Sequence, residues 1–416
     1  VMHASLGMLF VKYSRVWPLV NGIFPILAKA DWETFWPIIY MQLVNIRLKN
    51  TQKESIRTNQ IKVRNEDNGK EDTTQATKSL DHENDNEHLH NIINNHTDFV
   101  KYEELLFEAL QTISNYVERK CTFIFPMFEE FLQNEYDELN TRGKESTKKL
   151  ILYLKLFATF SKKTTTTKHQ PTMLKMYNIY IRFLSNTNEE ISLFALRCLF
   201  TYGQDSLTSY KGELERIVGE KTFREQMSSF TLSRSNEKIK ETARPLLTSV
   251  IIRLSYGKLM TRKGKSGKDT ISSRRATVLT FLSGLDINEL KQLYELLLQP
   301  FKGVLKNNNN ISTVHRTKQM GFVRMMEDVI EQLGTKVVSH LSDMSTIIVR
   351  ILQPLITLDV PEENLEEENE IKESNRTLSH ELRALRSQSF KRLSEIFLNY
   401  PNFKHNNDFL SRLRKM

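Results

Sequence analysis

Cysteine is nearly absent from this chain: 416 residues hold two, Cys121 and Cys198. Two thiols cannot build a disulfide framework or a structural zinc site. Both fall on apolar helical faces, which predicts buried thiols and fits a reducing compartment. Glycine and proline are scarce, at 14 and 10 residues, against the usual needs of a β-rich or loop-rich fold. No apolar stretch reaches the ~18–20 residues that a membrane span requires. One segment imitates a secretory leader: Lys12 and Arg15 precede an apolar run from Val16 to Ala28, and Ala28-Lys29-Ala30 resembles a cleavage site. Pro18, Asn21, Gly22 and Pro25 interrupt that run, which argues against a cleaved leader. Catalytic groupings are lacking as well. No Ser/His/Asp or Cys/His arrangement can be argued from spacing. His82, His88, His90 and His96 cluster in a polar low-complexity stretch with no ordered frame to hold a metal. The sequence calls for no cofactor and no small-molecule substrate.

What is present is helix. Leu, Phe, Ile and Lys dominate, and hydrophobic residues make up 39%. Residues 1–49 read as two or three helices and hold all three tryptophans, Trp17, Trp32 and Trp36, read as packing residues. Residues 50–98 lose periodicity and carry six Lys/Arg against ten Asp/Glu. Such a stretch cannot bury enough apolar surface to offset its ordering entropy, so a disordered polar insert is expected. Helical pattern returns over 99–163, and Thr164–Thr167 reads as a polar linker. Leu174, Tyr177, Ile181 and Leu184 then recur at helical spacing. Ile191, Phe194, Ala195, Cys198 and Leu199 trace one helical face, and Leu193, Leu196 and Phe200 add a second stripe. A helix with two apolar stripes touches two neighbours, as the inner helices of a solenoid do.

A short pattern repeats along this region: basic or Ser, two any, small or branched, bulky apolar, two any, bulky apolar. It occurs as Ser192-x-x-Ala195-Leu196-x-x-Leu199 and as Arg275-x-x-Val278-Leu279-x-x-Leu282. It returns as Lys318-x-x-Gly321-Phe322-x-x-Met325 and Arg386-x-x-Ser389-Phe390-x-x-Leu393. The steps are 83, 43 and 68 residues, and HEAT units run about 40–47. Two repeats account for the first step and one for the second. The last carries an insert, expected at 358–376, where eight acids between Asp359 and Glu373 face one lysine. The expected fold is therefore all-α, a HEAT-like α-solenoid of stacked antiparallel helix pairs. Its repeats run over 170–357, with a basic loop at 257–273 and a further helical segment at 377–416. Arg386 falls beside Leu382, Leu385, Leu393 and Phe397 on a helical wheel, so a carboxylate or carbonyl partner from an adjoining helix is expected for it. Arg275 and Lys318 hold the same pattern position.

The net charge of +9 and a pI of about 9.2 suit an acidic partner, most often nucleic acid. The basic loop concentrates that charge. Lys258, Arg262, Lys263, Lys265, Lys268, Arg274 and Arg275 face a single acid, Asp269, in 18 residues. A phosphate-loop reading of Gly264-Lys265-Ser266 fails, because the required first glycine is Leu259. For Gly267-Lys268 that position is Arg262. The loop can instead follow a phosphate backbone without reading bases, or bind an acidic protein, or stand as a solvated connector. Its seven cations are the candidate contacts to RNA or to an acidic partner.

At this loop the chain resembles a known family. The block Arg244-Pro245-Leu246-Leu247 with Ile252-Arg253-Leu254-Ser255-Tyr256-Gly257-Lys258 is similar to the DRIM family. So is Ser273 to Gly284, reading SRRATVLTFLSG, and so are the run Leu293–Phe301 and the later Leu385-Arg386 and Phe390-Lys391-Arg392-Leu393. The resemblance covers roughly 170–400. That family supplies the very large HEAT-repeat component 20 of the U3 small nucleolar ribonucleoprotein, in the small-subunit processome. It implies a non-catalytic scaffold in the nucleolus of the nucleus, supporting maturation of small-subunit ribosomal RNA. The implied partners are pre-ribosomal RNA, U3 small nucleolar RNA and other processome proteins, with no membrane. The missing start methionine agrees with an interior fragment of a longer protein. The competing expectation from the repeats alone is a HEAT-type nuclear transport receptor or adaptor. Carriers of basic cargo tend to present acidic inner surfaces, whereas the periodic parts of this chain are net basic.

Overall fold

The computed structural model describes residues 1–48, 99–136, 144–160, 170–234, 239–261, 267–307, 310–357, 369–401 and 403. The insert expected at 50–98 with its four histidines, the linker Thr164–Thr167, and residues 358–368 of the acidic insert lie outside them. The described chain is all-α, in HEAT-like helix pairs, and forms no β-sheet. In chain order the main helices are α1 (Met2–Phe10), α2 (Trp17–Ala30), α3 (32–48), α4 (Phe99–Thr112), α5 (Cys121–Asn134) and α6 (Lys144–Ala158). There follow α7 (Gln170–Phe183), α8 (Glu189–Phe200), α9 (Lys211–Val218), α10 (Phe223–Ser229), α11 (Arg244–Met260) and α12 (Gly267–Leu282). The series closes with α13 (Ile287–Leu298), α14 (Arg316–Leu333), α15 (Leu341–Thr357) and α16 (Asn369–Asn399). No helix among the described residues is long and apolar enough to cross a membrane.

The chain divides into two compact units: Val1–Tyr180 with Phe194–Tyr202, and Ile181–Leu193 with Gly203 onward. In the first, α4 packs on α1, α2 and α6. Its core is aromatic. Tyr153 meets Phe107 edge-on at 4.7 Å and Phe128 at 5.1 Å, and Phe157 meets Phe125 and Phe128 at 5.3 and 5.1 Å. Edge-to-face pairs of this kind add about 0.5–1.5 kcal/mol beyond their buried area. Trp36 is buried in contact with Trp32, their rings 5.5 Å apart, and Trp17 donates its indole N–H to the Val11 carbonyl. The tryptophans are packing residues, as read. Cys121 and Cys198 are both buried and form no disulfide with each other.

In the second unit the connections 219–222 and 283–286 are short, and short connections turn a chain back on itself. α11 packs against α12 and α13, α12 against α14, and α14 against α16. Helices α12, α14 and α16 thus lie side by side in one row, with α11 and α13 in another. Three of the four copies of the repeating pattern sit on that first row. Their bulky positions are buried at Val278, Leu279, Leu282, Phe322, Met325 and Leu393. The fourth copy departs at Phe390, which is 48% exposed. Local signals set the helix ends. Asp286 and Glu289 form a capping box on α13. Gly334 stops α14 at φ +51, a conformation glycine adopts at little cost.

Three sequence readings need correction. The buried face of α7 is Met173, Met176, Tyr180 and Phe183; of the expected stripe Leu184, just past the helix, is buried, Tyr177 and Ile181 are half-buried, and Leu174 is 62% exposed. Both stripes have helical spacing, so periodicity alone could not choose between them. The basic loop is shorter than 257–273: α11 continues to Met260 and α12 begins at Gly267. The apolar face of α12 uses Arg274 as a core position, its aliphatic stem buried, and a pattern that counts Arg as polar misses that turn. Likewise 369–376, read as part of the acidic insert, is the start of α16. A shortage of apolar side chains argues against a core, not against a helix, and Glu and Lys are good helix formers.

Candidate functional site

The seven cations of the basic loop do not share one fate. Arg262, Lys263 and Lys265 lie outside the described residues, and of Lys268 only the helical backbone is described. The other three are tied into the helix stack. Lys258, in the last turn of α11, and Arg274, in α12, are 7% and 5% exposed. Both reach Glu220, in the turn between α9 and α10. Lys258 Nζ lies 2.9 Å from one carboxylate oxygen, and Arg274 Nη2 donates to the other. The two cations also stand over the ring of Phe223 at 5.3 and 5.9 Å. Glu220 is fixed from behind, where its backbone N–H donates to Glu189 at 3.2 Å. One carboxylate therefore gathers α10, α11 and α12. Arg275 turns the other way and pairs with Asp328 of α14 at 3.0 Å. Burial pushes the Asp328 carboxyl above its ordinary range, and Arg275 opposes the shift.

The same device recurs along the unit. Arg244, 2% exposed, holds Glu289 of α13 at 2.6 and 3.1 Å and donates to the Leu232 carbonyl. Burial pushes Glu289 up, but the Arg244 hydrogen bonds and charge, with the Asp286 N–H, outweigh it and hold the carboxyl below its usual value. Arg392 of α16, also 2% exposed, lies 3.0 Å from Glu327 of α14 and 2.7 Å from Glu395. Lys336 caps the end of α12 through the Ser283 and Leu285 carbonyls. Arg350 of α15 donates to the Val304 carbonyl.

This ladder was expected at Arg275, Lys318 and Arg386, and only Arg275 carries it. Lys318 is exposed, and Arg386 is half-buried with no ion pair among the described residues. Among the described side chains of α16, the buried arginine is Arg392, six residues further on. A stripe through Phe397 misses it, because Phe397 is 40% exposed and the packed face runs through Leu385, Ser389, Leu393 and Ile396. Glu220, Phe223, Glu289, Glu327 and Asp328 were not singled out from sequence. Nothing in their spacing distinguishes them from solvated helix-face acids. Among the described residues no group of three or more His, Cys, Asp or Glu could hold a metal ion.

Chemically, such pairs hold helices in register and offer no reacting group. A glycine completes the joint. A Cβ on Gly257 would stand 2.7 Å from the Asn186 carbonyl oxygen, so α11 approaches the turn before α8 as closely as backbone permits. Ser255-Tyr256-Gly257-Lys258 is thus a packing motif: Ser255 is fully buried, Gly257 gives close approach, and Lys258 ties to Glu220.

Comparison with known proteins places this stack. A family profile described as "U3 small nucleolar RNA-associated protein 20, N-terminal" matches residues 144–413. A protein of Schizosaccharomyces pombe (strain 972 / ATCC 24843) named U3 small nucleolar RNA-associated protein 20 is 28% identical over 167 residues. That alignment covers 38% of this chain and 7% of the yeast protein, so the chain spans a small part of that relative's length.

Proposed function

The chain belongs to the family of the U3 small nucleolar RNA-associated protein 20 N-terminal region, and on that premise we propose that it is a scaffold segment of a pre-ribosomal particle. In this reading it is non-catalytic and nucleolar. It supports small-subunit ribosomal RNA processing by holding RNA and processome proteins on a helical-repeat frame. One observation carries the reading. Within the family match, the buried cations Arg244, Lys258, Arg274 and Arg392 are paired across helices with Glu289, Glu220 and Glu327, as the partly buried Arg275 is with Asp328. They build a frame rather than a reaction centre. The cations we assign to an acidic partner are Arg262, Lys263 and Lys265, between α11 and α12 in sequence, and Lys268 in the first turn of α12. Those four are the RNA or acidic-protein contacts in this proposal, and Lys258, Arg274 and Arg275 serve the frame. The test is ultraviolet crosslinking and depletion of the full-length protein in its own cells. We expect crosslinks to U3 RNA or to small-subunit precursor RNA, and accumulation of that precursor on depletion. Normal small-subunit maturation without the protein would overturn the reading.

A further inference from the structure

Helix α11 is covered on every side but one. Beyond its exposed Pro245, the residues that escape full burial are Leu246, Ser249, Arg253, Tyr256 and Met260, each half-buried. They follow one another at steps of three, four, three and four residues, so they draw a single line along the helix. Helix α9 packs against α11 from earlier in the chain, and α12 and α13 from later in it. The line therefore lies within the stack and not at either end of it. Arg253 is the one charge on this line. Arg244, Arg274 and Arg392 each hold a carboxylate. Arg253 makes no hydrogen bond or ion pair among the described residues, and its Nε is shut off from solvent with no partner. Burial pulls the guanidinium below its ordinary value; Glu295 of α13 opposes this through space without pairing with it.

The neighbours of Arg253 on the line are donors as well. Ser249 accepts the Gln292 amide at 3.0 Å, which leaves its own O–H to give. Burial pushes the Tyr256 hydroxyl up to about 12, so it keeps its proton at neutral pH. Ser249 and Tyr256 stand two turns apart, about 10 Å along the axis, with Arg253 between them. Three donors in a row call for an anion, and the surroundings decide which kind. A phosphate backbone is held by several cations at once. Here there is one, half-sunk, and the exposed charges of the adjoining α13 are Lys291 and Glu295, one of each sign. An arginine set between apolar side chains is an anchor of the kind protein interfaces use, and Leu246 and Met260 supply the apolar ends. We propose that the open line of α11 seats a segment of a partner protein that presents one Asp or Glu to Arg253 and rests apolar residues on Leu246 and Met260. The inference rests on the scaffold reading above, because it assigns one of the protein contacts that reading calls for.

The test places the photo-crosslinker benzoylphenylalanine at Leu246 of the full-length protein in its own cells. We expect a crosslink to a single segment of another protein, and mass spectrometry should find an Asp or Glu in it. Arg253→Glu should cut the yield about tenfold or more, while Arg253→Lys keeps most of it. Changing the partner's acid to Arg should restore the crosslink to the Arg253→Glu protein. Crosslinks to RNA, crosslinks to another part of the same chain, no crosslink, a partner segment without an acid, or indifference to Arg253→Glu would each overturn the proposal. Crosslinks to RNA would do so while leaving the scaffold reading standing, since depletion tests that reading separately. A second measurement guards against a purely structural role. Arg253 ties nothing in the stack, so Arg253→Met should leave the urea midpoint of this chain unchanged or raise it. A lowered midpoint would make Arg253 a frame residue and overturn the proposal as well.

Discussion

Replacing Glu220 by Ala removes the shared partner of two buried cations, and its cost can be worked from the geometry. Lys258 and Arg274 keep 7% and 5% of their exposed surface. Removing one partner of a fully buried pair typically costs about 3–5 kcal/mol, because the other charge is left uncompensated. The Glu220 side chain is itself 42% exposed, so solvent screens the pair and only part of that range applies. We predict a loss of about 2 kcal/mol for Glu220→Ala. Glu220→Gln, which keeps one acceptor oxygen, should lose roughly half as much. The assay is urea unfolding followed by circular dichroism, with hydrogen exchange to place the damage. Exchange should quicken in α10, α11 and α12 and stay unchanged in α4 and α6. The same variant separates the frame reading of Lys258 and Arg274 from a phosphate-binding one. As frame residues they hold their geometry through Glu220, so its loss harms stability without strengthening RNA binding. As phosphate ligands they would gain RNA affinity when the competing carboxylate is gone. A loss below about 0.5 kcal/mol, the usual range of a surface change, together with tighter RNA binding would refute the reasoning.

Gly257→Ala should destabilise by about 1–3 kcal/mol by urea titration, because the new Cβ meets the Asn186 backbone 2.7 Å away and backbone cannot step aside cheaply. Glu289 and Glu327 are held below the ordinary carboxyl value of 4.5, as arginine partners outweigh burial. Their contribution should therefore be complete above about pH 4.5 and be lost as pH falls through the lowered values, and Arg244→Met should flatten that acid slope in pH-dependent unfolding. Ala at Arg262, Lys263, Lys265 and Lys268 together should leave the fold intact while weakening RNA binding regardless of sequence. The same change should lessen the slope of log affinity against log salt; equal slopes for variant and wild type would assign the loop to a solvated connector.

The sequence made some of this legible and concealed the rest for identifiable reasons. The all-α class, the helix pairs and the row of α12, α14 and α16 follow from apolar spacing, since burial must recur every three or four residues. The face of α7 did not follow. Met173-Met176-Tyr180 and Leu174-Tyr177-Ile181 are both helical stripes, and only neighbours decide which is covered. The basic loop misled in a different way. Seven cations in 18 residues look like one electrostatic feature, yet three of them point into the stack. Whether a lysine is a ligand or a tie depends on an acid 38 residues away in sequence, as Glu220 is from Lys258, and no local window contains both. Arg275 was legible because it shares a stripe position with apolar residues. Arg392 was hidden because the neighbouring Phe390 and Phe397, which are exposed, drew the stripe toward themselves.

The ties also answer a problem that apolar packing leaves open. Repeats with the same pattern offer similar surfaces, so an apolar stripe on α12 could be covered by more than one neighbour at comparable gain. Buried ion pairs contribute little net stability, because desolvation cancels much of the attraction. Their effect on alternatives is larger: any other neighbour leaves Arg244 or Arg274 buried without its carboxylate. Each tie joins helices that are neighbours in the stack but distant in sequence, Arg244 to Glu289 over 45 residues and Arg275 to Asp328 over 53. These spans resemble one repeat, so each pair verifies that the next unit has been stacked in place. In the proposed role, a scaffold that presents partners at fixed positions needs that register more than it needs added stability. On the proposed function, the buried arginines serve the frame, and Arg262, Lys263, Lys265 and Lys268 are the proposed contacts to an acidic partner.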